Sequence, residues 1–159
     1  MSNPTIFLSA SCPSPELAQS FTSRLGALLS YLDASGYNLV YGCHPSVSPL
    51  VASQFSSERT TAHALRKFAD SVTVPEGTTL VIHEGETIHD QLKAMRLAMV
   101  KSADRAIFMG GKHAGLGGKP GVVDEWELFV ECGPDHAASR LLVVDFPGAA
   151  ESGVPGPRI

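Results

Sequence analysis

Cysteine is scarce in this chain of 159 residues. Cys12, Cys43 and Cys132 are odd in number, far apart and without a CxxC pair. That argues against a disulfide framework and makes a reducing cytoplasm the expected compartment. Long apolar runs are missing too. No stretch approaches the roughly 20 apolar residues that span a bilayer. Met1-Ser2-Asn3-Pro4 carries no basic region, and the apolar run behind it is too short for a signal peptide. Nor is there a basic excess: the formal net charge is −4, which gives no electrostatic case for wrapping nucleic acid. His83, His89 and His113 stand in no HExxH or Cys/His spacing, so neither a metal nor another cofactor is expected. Ser9 and Ser11 lie outside any GxSxG, which disfavours a serine hydrolase.

What is present suffices for a folded α/β domain. Hydrophobic residues make up 43% and charged residues 18%, values of a globular protein with a real core. Thr5-Ile6-Phe7-Leu8, Asn38-Leu39-Val40-Tyr41, Thr78–Ile82, Ala103–Met109 and Arg140–Val144 read as five short buried strands. Between them lie helical patterns. Ser14-Pro15-Glu16 opens one, with Leu17, Phe21, Leu25, Leu28 and Leu32 at helical spacing and Gly36 as its stop. Pro49–Phe55 and Glu58–Ala69 are further helical candidates. Thr87-Ile88-His89-Asp90 resembles a capping box before a helix presenting Leu92, Met95 and Met99. This alternation predicts a single Rossmann-like domain over residues 1–147, with a mainly parallel five-stranded sheet and helices on both faces. Residues 148–159, rich in glycine and proline, read as a flexible tail.

Such a sheet binds ligands at the carboxyl ends of its strands. That rule gathers Ser9, Ala10 and Ser11 after the first strand, Gly42-Cys43-His44-Pro45-Ser46 after the second, and Gly110-Gly111-Lys112 after the fourth. From Gly110 to Gly121 six residues are glycine, with two lysines and a histidine among them. A strand, a glycine-rich loop and a helix N-terminus together suit a phosphate. The loop fits no Walker signature, because Lys119 is followed by Pro120. GxGxxG fails as well: Gly115 and Gly117 are spaced for it, but the third position is Pro120. Kinases of the P-loop type and ordinary dehydrogenases are therefore disfavoured. Asp124 and Glu125 follow in the first turn of the next helix. There Glu125 either bonds a ribose hydroxyl or attacks an anomeric carbon, and otherwise complements the helix dipole. His44 reads as a contact for a phosphate or a base.

These segments resemble the SLOG superfamily, the Rossmann-like group that includes the lonely-guy phosphoribohydrolases and the DNA-processing protein DprA. Leu39-Val40-Tyr41-Gly42 looks like the family's strand and glycine turn. Met95-Arg96 through Met99, Ala103-Asp104, Gly110-Gly111 and Asp124-Glu125 look like its Met/Arg helix, Ala-Asp strand, glycine pair and acidic pair. The resemblance makes Glu125 and Arg96 the residues that would be catalytic in an enzyme, although Arg96 stands one residue from the family's arginine when Met99 is the anchor. Cys43 and His44 replace the family's glycines, Met109 replaces its proline, and the loop to Glu125 is longer. Those departures resemble the nucleotide-signalling branch, which implies binding of an ADP-ribose-type or cyclic nucleotide ligand by a sensor. An N-glycosidase is the alternative, styled on phosphoribohydrolases or the nucleoside 2-deoxyribosyltransferases. An oligomerising module with a vestigial site is the third. The resemblance also implies a homodimer or higher homo-oligomer.

Overall fold

The computed structural model describes residues 3–113 and 119–159. Among them, six parallel strands form one sheet in the order β4-β3-β2-β1-β5-β6. The strands are β1 (Thr5–Ser11), β2 (Asn38–Gly42), β3 (Thr60–Leu65), β4 (Thr79–His83), β5 (Arg105–Gly110) and β6 (Leu141–Val143). Helices α1 (Ala18–Ala34) and α2 (Ser48–Gln54) cover one face. On the other lie α3 (Ile88–Ser102), α4 (Gly121–Cys132) and the short α5 (Ala149–Gly153).

Strand periodicity divides β1 between two cores. Ile6 and Leu8 pack with Phe21, Leu25, Leu29 and Leu32 of α1. Phe7 turns the other way and meets Phe108 edge-on at 6.2 Å between ring centroids, and Phe108 meets Phe129 of α4 at 6.4 Å. Each such side chain, fully buried, stabilises the fold by about 1.5–3 kcal/mol. Leu28 sits only at the margin of this packing, and Leu29 takes the inward position. Gly36, at φ 81°, ends α1 as expected. The Thr87 hydroxyl accepts the Asp90 backbone N–H at 3.1 Å, giving α3 the cap its sequence predicts.

Two expectations are corrected. The segment expected to be helical over Glu58–Ala69 contains β3, flanked by 3-10 turns at Ser57–Arg59 and Arg66–Ser71. Its alanines and leucine fit a helical stripe, but an internal parallel strand is buried on both faces and shows no alternation. Pairing with β2 and β4 decides the matter, and it raises the strand count from five to six. Residues 148–159, expected as a tail, instead pack onto the domain. Ala149, Ala150 and Val154 are buried, and the end of the chain bridges β6 in parallel at Val143 and Arg158. Val143 donates its N–H to Pro157 O at 2.9 Å, and Ile159 donates to Val143 O at 2.9 Å. This closes the β6 edge, a use that small residues without periodicity do not announce.

The crossovers fix where a crevice opens. From β1 the chain passes through α1 to β2, whereas β5, on the other side of β1, is reached through α3 on the opposite face. The loops leaving β1 and β5 therefore part at the carboxyl edge, where ligands bind in open parallel sheets.

Candidate functional site

Ser9 to Ser11 pair with Phe108 to Gly110 at that edge. Ser9 lies on the same side of β1 as Phe7, and so faces the α3–α4 layer. It is 1% exposed. Its hydroxyl donates to Glu125 Oε1 at 2.8 Å, and Arg96 Nε of α3 donates to Glu125 Oε2 at 3.1 Å. Both carboxylate oxygens are thus held in place. Glu125 and Arg96 keep only 16% and 17% of their side-chain surface in solvent. Burial pushes the Glu125 carboxyl above the usual range, against the opposing pull of Arg96 and the Ser9 hydroxyl. Asp124 closes the first turn of α4 and Glu125 opens the second. Asp124 binds outward, to Arg96 Nη1 at 3.4 Å and Lys119 Nζ at 3.6 Å, and Lys119 also reaches Glu127 at 2.6 Å. Lys119 is a partner of this acidic turn that spacing did not reveal.

The glycine pair has a steric reason. Gly110 has φ 70°, and a Cβ there would lie 2.3 Å from Ser11 O. Gly111 has φ 88°, and a Cβ there would lie 2.6 Å from Val122. A positive φ and a neighbour this close, backbone at Gly110 and the Val122 side chain at Gly111, together favour glycine at both positions. Gly111 N–H donates to Ser11 O at 2.8 Å, and Gly111 O accepts Ala149 N–H at 3.0 Å. The C-terminal segment therefore buttresses the turn from behind, a contribution invisible in the sequence.

On the β2 side, His44, Ser46 and Cys12 form a second cluster. Ser46 Oγ lies 2.8 Å from His44 Nδ1 and accepts the Cys12 backbone N–H at 3.1 Å, which joins the loops after β1 and β2. Burial, with Lys112 nearby, holds the His44 imidazole below its usual range. Pro45 and Lys112 are exposed. Three other sequence candidates are placed differently. Ala10 and Cys43 pack toward the α1–α2 core, and burial raises the Cys43 thiol. At Gly42 a Cβ would meet Met95 Cε at 3.3 Å, so this glycine lets α3 lie close to the sheet. The loop residues 114–118 lie outside the described residues.

Two further features were not anticipated. His63 and His83 on neighbouring strands stack at 5.1 Å, with His63 Nδ1 and His83 Nε2 2.8 Å apart. Between α3 and α4 runs a groove of about 270 Å³ lined by His89, Lys93, Arg96, Asp124, Glu127 and Glu131, among others. Among the described residues, no three His, Cys, Asp or Glu side chains cluster to hold a metal, and no helix is long and apolar enough to cross a membrane. No family model matches the chain, and no curated protein matches it.

Proposed function

We propose that this chain is a SLOG-like domain that binds a nucleotide-derived small molecule, of ADP-ribose or cyclic nucleotide type, and serves as a sensor. The main support is Glu125, a carboxylate sheltered from water whose oxygens are both fixed, one by Ser9 of β1 and the other by Arg96 of α3. A carboxylate oriented in this way is an acceptor prepared for ribose hydroxyls. A buried site of this kind discriminates strongly, because a ligand lacking the hydroxyl leaves the acceptor stranded. Calorimetry against ADP-ribose, cyclic ADP-ribose isomers, NAD and AMP is expected to show binding, weakened about tenfold or more by Glu125→Gln. No binding by any of these at millimolar concentration rejects the reading.

The enzymatic alternative keeps one specific support. A carboxyl raised by burial beside a fixed arginine suits proton transfer to a leaving base, or stabilisation of an oxocarbenium-like ribosyl centre. Release of free base from a nucleotide, abolished in Glu125→Gln, would establish it. Equal and negligible turnover by both proteins leaves the sensor.

A homodimer belongs to the same proposal, in a reducing cytoplasm that suits three free thiols. Along the α3–α4 groove, His89, Lys93 and Arg96 face Asp124, Glu127 and Glu131. A two-fold related copy would match each stripe with the opposite charge. Sedimentation is expected to show a dimer that Glu131→Lys dissociates and added Lys93→Glu restores. A wild-type monomer at high concentration rejects the assembly.

A further inference from the structure

One edge of the sheet is closed and the other is open. Along β6, residues 157–159 supply the missing backbone partners. β4 stands at the opposite end of the strand order and pairs with β3 alone. Among the described residues, no hydrogen bond reaches the backbone groups on its outer side. Such a row of N–H and C=O groups is a template for another strand, and proteins that stay apart blunt it with lysine, proline or a bulge. Thr79-Leu80-Val81-Ile82-His83 contains neither lysine nor proline, and its register with β3 is unbroken. Leu80 is 36% exposed on it. The same corner of the sheet is bare on one face. α3 starts beyond the carboxyl end of β4 and crosses to the amino end of β5, so it slants away from the amino ends of β3 and β4. A cavity of about 460 Å³ is left there, lined by Val40, Thr61, His63, Thr79 and Val81, among others. Val40 belongs to the core under α3, and Thr61 and Thr79, in register with it, point to that face.

We infer that β4 is a self-association edge, paired antiparallel with the β4 of a second copy about a two-fold axis through Val81, so that the two sheets run on as one. Two features select a second copy as the occupant. The first is that the strand complements itself. In this register Val81 faces Val81, Leu80 faces Ile82 and Thr79 faces His83. Side chains alternate along a strand, so the apolar Leu80–Ile82 pairs share one face and the Thr79–His83 pairs the other. The outward N–H and C=O groups meet their two-fold mates, as an isologous contact requires. The second feature is the bare corner. An axis normal to the sheet keeps both copies of α3 on the same face. Antiparallel pairing then lays the carboxyl end of the second β4, where its α3 begins, beside the uncovered amino end of the first. Each copy thereby helps to cover the cavity that the other leaves open. A single strand from an unrelated protein would satisfy the backbone but leave that corner bare. The contact is separate from the α3–α4 groove and does not depend on what the protein binds.

Introduced cysteines read the register directly. Facing residues of an antiparallel pair have Cα atoms about 4.5–5.5 Å apart, within reach of a disulfide. Under mild oxidation, the full chain carrying Val81→Cys is expected to form a cross-linked dimer at least about tenfold faster than Thr79→Cys, because only a residue on the axis meets its own copy. Thr79 is the more exposed of the two, so chance collision would favour it instead. Thr79→Cys and His83→Cys chains, slow to cross-link alone, should cross-link to each other when mixed. The unsubstituted chain gives the background from Cys12, Cys43 and Cys132. Leu80→Lys added to Val81→Cys should slow the reaction about tenfold by placing a charge on the edge. Glu131→Lys, aimed at the groove contact, should leave it unchanged. Cross-linking no faster for Val81→Cys than for Thr79→Cys overturns the self-pairing and leaves the edge to a strand from another protein. A rate indifferent to Leu80→Lys overturns it too. Loss of the cross-link with Glu131→Lys does the same, by assigning the contact to the groove.

Discussion

Arg96→Met is expected to cost about 3 kcal/mol of stability at pH 7.5, because it leaves Glu125 sheltered from water without its counter-charge. In a chain of this length that lowers the melting temperature by about 10 °C. The methionine keeps most of the aliphatic stem of Arg96, so the loss reports chiefly the missing guanidinium charge. The pH dependence identifies the cause. Burial already raises the Glu125 carboxyl, and removing Arg96 raises it further. A folded state that holds its proton more tightly than the unfolded chain is most favoured below the unfolded carboxyl range, and loses that advantage as pH rises through the folded value. The deficit of Arg96→Met should therefore be largest near neutrality and shrink toward pH 5. Adding Glu125→Gln should recover at least half of it at pH 7.5. Denaturant melts showing a single variant within error of wild type, or a deficit unchanged between pH 5 and 7.5, would remove the ion pair from any central role in the site.

The second large effect concerns the histidine pair. His63 is 5% exposed, and burial followed by its neighbour His83 pushes its imidazole down to about 4, from an ordinary 6.5. His83 is lowered as well, by burial. The unfolded chain binds protons at these sites through the pH 6 range, while the folded one resists. Stability from His63 is thus complete above the unfolded value and is lost as pH falls toward the folded one. Between pH 7.5 and 4 the loss amounts to about 3 kcal/mol. His63→Gln keeps a hydrogen-bonding side chain beside His83 but cannot titrate, so its stability should decline less over the same range. Parallel decline in the two proteins would show that the acid sensitivity arises elsewhere. The pair matters to the crevice through one backbone contact. His63 O accepts Cys43 N–H at 2.9 Å, so loosening β3 would disturb the loop that carries His44.

The architecture was legible wherever a local rule had one solution. Thr5–Leu8 and Asn38–Tyr41 are short apolar runs bounded by turn residues, and each is a strand. Thr87 and Asp90 are spaced for a cap, and they form it. Glu58–Ala69 failed because a strand buried on both faces carries no period, so propensity and spacing could not outweigh pairing partners distant in the chain.

The site divides in the same way. Gly110-Gly111 and Glu125 stood out because strand, glycines and an acidic helix start are contiguous, and position at a strand end is a local property. That Arg96 reaches Glu125 across 29 positions, or that Ser9 does so across 116, depends on α3 and α4 lying side by side over β1. The same holds for His63 and His83, for the Ser46 relay to Cys12, and for the chain end that closes β6 and supports Gly111. By itself the sequence determined the elements, the carboxyl edge and the residue types available there, since periodicity, capping and glycine sterics act within a few residues. Only the tertiary structure decided which groups touch, which lose water and which nitrogen of His44 meets Ser46. Those depend on packing between segments whose separation along the chain no local pattern encodes.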